Sequence, residues 1–143
     1  MMPERRAATV TTSLEPGPFA PRMARSAVHR ALADADPTVA EQAMLLTSEL
    51  VTNAVIHTHT GVVLTVSVDD NWVRILVEDG DQRLPTPSTS SGPHGGFGLH
   101  IVERLAHAWG TTMADDGKAV WFELPLRPVD RLDTNDELHR ALG

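Results

Sequence analysis

The chain contains no cysteine. Disulfides are thereby excluded, as are thiolate zinc and iron–sulfur centres, and the sequence is compatible with a reducing compartment. It also lacks any apolar run of the ~18 residues that a membrane-spanning helix needs. The N-terminal stretch Met1-Met2-Pro3-Glu4-Arg5-Arg6 is followed by Ala and Thr, not by the apolar core of a secretory signal. A cytoplasmic protein with no membrane contact is therefore the expectation. Positive charge is scarce too. No basic cluster exceeds Arg5-Arg6, and the net charge is −7, which argues against a direct nucleic-acid partner. Lysine is scarcest of all, Lys118 standing alone beside eleven arginines.

What is present suits one domain. The chain has 143 residues, 41% of them hydrophobic, enough for an ordinary core. Residues 1–7 read as a flexible N-terminus, residues 8–126 as the domain, and residues 127–143 as a polar tail. Within the tail, Thr134 and Glu137 have capping-box spacing, so Thr134–Leu142 is a candidate short helix. No internal repeat is visible.

Inside the domain, the Thr-rich, β-branched run Ala8–Leu14 predicts a strand. Pro16, Pro18 and Pro21 break the chain. Met23, Ala27, Ala31 and Leu32 then recur at helical spacing, which predicts a helix over 21–33. Pro21 suits its start, where a missing N–H costs nothing. A longer helix is expected over 38–57, capped by Asp36 or Thr38. Ala43, Met44, Leu50, Val51, Ala54 and Val55 share one side of it; Glu49, Asn53 and His57 share the other. Val62–Val68 and Trp72–Val77 flank the turn Asp69-Asp70-Asn71 and predict an antiparallel hairpin, rich enough in Val, Ile and Leu for a central, well-covered sheet. Residues 79–96 form an unusually long Gly-, Pro- and Ser-rich loop, of a kind that is commonly functional or disordered. A helix over 97–106 and a second hairpin, 109–113 with 119–126 around Asp115-Asp116-Gly117, complete the order. The whole predicts an α+β two-layer sandwich, with helices on one face of a mixed, mainly antiparallel sheet.

Three motifs carry chemistry. Glu49, Asn53 and His57 recur at i, i+4 and i+8 on one helix face. The carboxylate can accept a proton from a nucleophile. The amide oxygen is a hard ligand suited to Mg²⁺, which commonly bridges phosphates. On spacing alone a solvated helix face is the better fit, since Glu and Asn are common on exposed faces. Asp79-Gly80 ends a strand; its carboxylate can accept from an amino group on a ligand, although an ordinary Asp-Gly turn reads the same way. Gly92-Pro93-His94-Gly95-Gly96-Phe97-Gly98-Leu99 precedes a helix. Its glycines would let backbone N–H groups approach a phosphate, or serve as a flexible linker.

Taken in order, these motifs resemble the GHKL (Bergerat-fold) ATP-binding domain, in its stand-alone branch of anti-sigma-factor serine/threonine kinases. Ser48-Glu49-Leu50-Val51-Thr52-Asn53-Ala54-Val55-Ile56-His57 resembles the N box. Val77-Glu78-Asp79-Gly80 resembles the G1 box, and Gly95-Gly96-Phe97-Gly98-Leu99-His100-Ile101-Val102 the G2 box. Gly117–Pro125 resembles the final strand pair. The resemblance implies ATP and Mg²⁺ as cofactors, with roles for these residues. Glu49 would be the catalytic base and Asn53 the Mg²⁺ ligand. Asp79, with Gly80, would hold the adenine amino group. Gly95, Gly96, Gly98 and Leu99 would lie along the phosphates beneath a lid of residues 82–94. His57, His94 and Lys118 would stand near the nucleotide. The sequence departs from the family at three places. Asp79-Gly80-Asp81-Gln82-Arg83 lacks the later glycines of an Asp-x-Gly-x-Gly box. His94 stands where relatives often carry a basic residue, and Lys118 where many carry threonine.

The resemblance implies an ATP-dependent protein serine/threonine kinase that phosphorylates an anti-sigma antagonist in a partner-switching system. A sigma factor would be its second partner, and a homodimer is an expectation drawn from relatives. A sensor kinase is not the expectation, since its phosphoacceptor hairpin would need more than the segment ahead of the first helix. The alternatives are an ATP-responsive binding module with little or no kinase activity, and an interaction domain without nucleotide.

Overall fold

Residues branched at Cβ pack well on a pleated surface and lose side-chain freedom in a helix, and the runs rich in them form five strands. The structure is a computed structural model describing residues 8–58, 60–80, 99–114 and 117–126, without the side chains of His57, Thr58, Leu99, His100 and Ala114. Its elements are β1 (Ala8–Leu14), α1 (Ala20–Ala31), α2 (Pro37–Thr58), β2 (Val62–Val68), β3 (Trp72–Asp79), α3 (Leu99–Leu105), β4 (Ala108–Ala114) and β5 (Gly117–Pro125). This is the order expected from the sequence. The segments expected to form a flexible N-terminus, most of the expected long loop and lid, and the tail with its candidate helix lie outside the described residues.

The sheet runs β1-β2-β3-β5-β4, and every pairing in it is antiparallel. The mainly antiparallel expectation holds, and no parallel pair occurs among the described residues. β5 follows β4 in sequence but lies between it and β3, because β4 turns back along the outer edge. The β2–β3 turn is fixed by Asp69, whose Oδ1 accepts from the N–H of Asn71 at 2.8 Å and of Trp72 at 2.7 Å, a short polar side chain standing in for backbone.

Paired residues point to the same face of a sheet, so the register sorts the strands into two faces. Val62, Leu64, Val66, Val73, Ile75, Val77, Val120, Phe122 and Leu124 are buried on one face, and the helices pack there. The other face is open. Leu76 pairs with Trp121 on it, both half-buried. The Arg74 guanidinium lies 4.4 Å from the Trp121 ring centre and 3.8 Å from Glu123. Among the described residues the sheet is thus well covered on one side only. The apolar count of β2 and β3 is raised by residues such as Val63 and Leu76, which belong to the open face.

Helix α2 is the centre of the helical layer. Asp36 caps it: its Oδ1 accepts from the Thr38 N–H at 2.8 Å, and its carbonyl from the Ala40 N–H at 3.0 Å. Val39, Ala40, Ala43, Leu46, Leu50, Val51 and Ala54 are buried along it. The small side chains Ala20, Ala24 and Ala27 of α1 are buried with Ala40 and Ala43 in one cluster. The buried stripe of α1 differs from the predicted one. Ala24 and Val28 are fully buried, whereas Met23 is 55% exposed. With alanine at so many positions the phase of the stripe is poorly marked, and it lies one residue further along. Leu32 still joins the core, but from just beyond the helix end.

Candidate functional site

Glu49 and Asn53 lie in the C-terminal half of α2, and both are half-buried. This is neither a fully solvated face nor part of the core. The Asn53 amide nitrogen is buried and has no hydrogen-bond partner among the described residues. An unsatisfied buried donor costs about 1–3 kcal/mol, so the helix holds this group in a state that an acceptor would relieve. His57 lies in the last turn of the same helix.

Two residues past the end of α2, Thr60 meets the end of β3. Its hydroxyl accepts from the Gly80 N–H at 3.0 Å. A Cβ at Gly80 would come within 3.3 Å of the Thr60 methyl. The Asp79-Gly80 strand end is therefore fastened beside the α2 terminus that carries Asn53 and His57. Thr60 was not singled out by the sequence reading; a lone threonine in a connection gives no signal of its own.

Asp79 is paired across the sheet with Lys118 of β5, on the helix-covered face. Both Asp79 carboxylate oxygens lie 3.1 Å from the Lys118 ammonium, and the two side chains are only 6% and 7% exposed. The structure thus places Lys118 against the residue expected to face the adenine. Gly117 permits this approach: a Cβ there would overlap the Asp79 carbonyl oxygen. In the sequence Gly117 reads only as a turn glycine.

The structure brings Asp79, Gly80 and Lys118 together and fastens them near the end of α2. Leu99 is the first residue of α3. His94, Gly95, Gly96 and Gly98 lie outside the described residues. Among the described residues no group of three or more His, Asp or Glu side chains could hold a metal unaided. Magnesium does not require one, since it commonly takes one or two protein oxygens and completes its shell with phosphates and water. The half-buried Asn53 amide and the Glu49 carboxylate one turn earlier offer hard oxygen donors of the right type. No described helix is long and apolar enough to cross a membrane.

Residues 18–124 match the sequence profile of the histidine kinase-like ATPase domain. No curated protein sequence matches the chain. Among solved structures, the RsbU and RsbW domains of Rv1364c from Mycobacterium tuberculosis give a TM-score of 0.63 at 22% identity, over 84% of this chain and 34% of that one. The chain therefore spans about a third of that relative, and the likeness is one of fold. The catalytic domain of histidine kinase ThkA gives a TM-score of 0.49 at 17% identity, over 83% of this chain and 97% of that one.

Proposed function

The chain belongs to the histidine kinase-like ATPase domain family, and on that premise we propose that it binds ATP and transfers the γ-phosphate to a Ser or Thr on a protein partner. One observation supports the reading above others. The buried Asp79 carboxylate is fastened, through Gly80 and Thr60, to the end of the helix that carries Glu49, Asn53 and His57. A strand-end carboxylate and the helix face of Glu49 and Asn53 at one end of the helical layer support a base-binding role for the first and a phosphate-facing role for the second.

In this reading Asp79 accepts from the adenine amino group. Asn53 would hold Mg²⁺ through its amide oxygen, and its buried N–H would donate to a phosphate oxygen. Bound Mg²⁺ supplies charge neutralisation along the phosphates. Glu49 takes the proton of the attacking hydroxyl as that oxygen bonds to the γ-phosphorus; the bond to the β–γ bridging oxygen breaks, and ADP leaves. Most of the catalysis is positioning and charge stabilisation, with one proton transfer to a side chain. Gly95, Gly96, Gly98 and Leu99, with His94, would line the phosphates under the 82–94 lid; these roles rest on the sequence.

The partners that suit this reading are an anti-sigma antagonist as phosphoacceptor and a sigma factor as the retained or released protein. The fold likeness to an RsbW-containing protein is the support for that choice. The decisive experiment incubates the chain with radiolabelled ATP, Mg²⁺ and candidate antagonists. Label is expected on a Ser or Thr of one antagonist. Glu49→Ala is expected to abolish transfer, by at least about the 10²-fold that a positioned base contributes, while ATP binding persists. Undiminished transfer by that variant would show that the base has been misassigned.

A second reading, an ATP-responsive binding module with little or no kinase activity, is favoured by the ion pair on Asp79 and by the missing glycines after Gly80. Tight ATP binding without transfer to any partner would select it.

A further inference from the structure

Helix α2 turns most of its large apolar side chains into the core or against it, but Leu45 and Ile56 stay in solvent, 44% and 54% exposed. Single apolar residues scattered over a surface are ordinary. These two share one stripe of the helix with Glu49. We propose that Leu45 and Ile56 form the docking strip for the phosphoacceptor, one on each side of Glu49, and that the acceptor is a protein segment whose Ser or Thr is flanked by large apolar side chains and not by carboxylates. The inference rests on the kinase reading above and deepens it.

The geometry follows from the helical repeat. Leu45, Glu49, Thr52 and Ile56 stand at i, i+4, i+7 and i+11, a single stripe along α2. Along the axis Leu45 lies about 6 Å before Glu49 and Ile56 about 10 Å beyond it. Glu49 and Thr52 are half-buried between them. Asn53, one turn on from Glu49, is rotated further towards the buried stripe, and its amide nitrogen is buried. The acceptor side of Glu49 is therefore distinct from the side proposed to face phosphate. A hydroxyl must come within about 3 Å of the Glu49 carboxylate to give up its proton there. Residues one turn apart have Cβ atoms only about 5–6 Å apart, so the segment that carries the hydroxyl lies against Leu45. Where it follows the stripe, it meets Ile56 as well.

The chemistry of the strip names the kind of acceptor. Covering two half-exposed apolar side chains removes apolar surface from water, which favours a partner that presents apolar side chains in return. Charge narrows the choice. Glu41 is exposed one turn before Leu45, so the stripe carries two carboxylates, Glu41 and Glu49. Acidic residues beside the acceptor hydroxyl would meet like charge, which disfavours association. A Ser or Thr with large apolar neighbours satisfies both conditions.

The test is steady-state transfer from Mg-ATP to the antagonist protein that the wild-type full chain labels, with antagonist concentration varied, for Leu45→Gln, Ile56→Gln and the double variant. Both residues are exposed, so the variants are expected to melt like wild type and to bind Mg-ATP with unchanged affinity. The KM for antagonist is expected to rise about five- to tenfold in each single variant and about thirtyfold in the double. At saturating antagonist, kcat should stay within about twofold of wild type, as for a contact that binds without acting in the chemical step. Leu45→Met, apolar and of similar size, should keep the wild-type KM. Val10→Thr, which alters a comparably exposed apolar residue on the edge strand β1, should change nothing. An unchanged KM for antagonist in the folded double variant would overturn the inference and leave the kinase reading standing. A rise equalled by Val10→Thr, or accompanied by a matching loss of Mg-ATP affinity, would overturn it as well. Absence of label from every antagonist with the wild-type chain would remove the kinase reading, and the docking role with it.

Discussion

At the scale of single residues, Asp79 and Lys118 stand or fall together. A charge taken out of water is expensive, and removing one member of a buried pair commonly costs about 3–5 kcal/mol, whereas replacing both by neutral groups of similar size costs far less. Asp79→Asn and Lys118→Met are each expected to lower the urea midpoint strongly, and the double variant to recover much of the loss. Additive losses in that cycle would mean that the two side chains are not coupled. The consequence for function is practical. Loss of ATP binding in Asp79→Asn is interpretable only in folded protein, and the double variant supplies the control. None of this pairing was legible in the sequence. Asp79 was visible as a strand-end carboxylate and Lys118 as a solitary cation, but 39 residues separate them. Only the register of β3 on β5 makes them neighbours. Glu49 and Asn53 were legible because a single helix relates them. The Asn53 amide nitrogen, without a partner among the described residues, was not, since burial of one atom depends on everything that surrounds it.

At the scale of elements, α2 carries the most. It is 22 residues long, buries the centre of the helical layer and holds Glu49, Asn53 and His57 in its C-terminal half. Its first turn has no acidic residue, so the Asp36 cap is the main means of satisfying its leading N–H groups and opposing the helix dipole. Asp36→Ala is expected to cost about 1 kcal/mol, read as a lower denaturant midpoint with an unchanged slope. Asp36→Asn should restore most of it, because an amide oxygen caps nearly as well. Because the change lies at the opposite end of the helix from Asn53, nucleotide affinity should stay constant in folded protein. An affinity loss matching the stability loss would instead reveal that the helix frays as one unit. This cap was readable from Asp36-Pro37-Thr38 because capping is local chemistry. The phase of α1 was harder, because Met23 reads as core by type, yet a neighbouring alanine at 24 is what the packing against α2 accommodates. Where side chains differ little in hydrophobicity, tertiary contact decides the phase.

At the scale of the whole molecule, the order of elements and the helix-on-sheet layering were legible because alternation and helical period are strong signals over runs this long. The strand order was not, since placing β5 between β3 and β4 depends on partners far apart in sequence. That placement brings the start of β5 against the end of β3, and so builds the proposed base end of the site out of three separated segments: 60, 79–80 and 117–118. A site assembled in this way exists only in the folded chain. Any nucleotide that occupies it must therefore bind the native state in preference to the unfolded one and raise its stability. With free Mg-ATP at a hundred times its dissociation constant the gain is about 2.7 kcal/mol. For a domain of this size that corresponds to a rise in Tm of roughly 5–10 °C. The rise should shrink when EDTA removes magnesium, and Asn53→Ala should lose most of the magnesium-dependent part while retaining a smaller response to ATP alone. A chain that melts at the same temperature with and without millimolar Mg-ATP would exclude both the kinase and the nucleotide-responsive module. An undiminished magnesium effect in Asn53→Ala would move the metal to other oxygen donors and leave the nucleotide site in place.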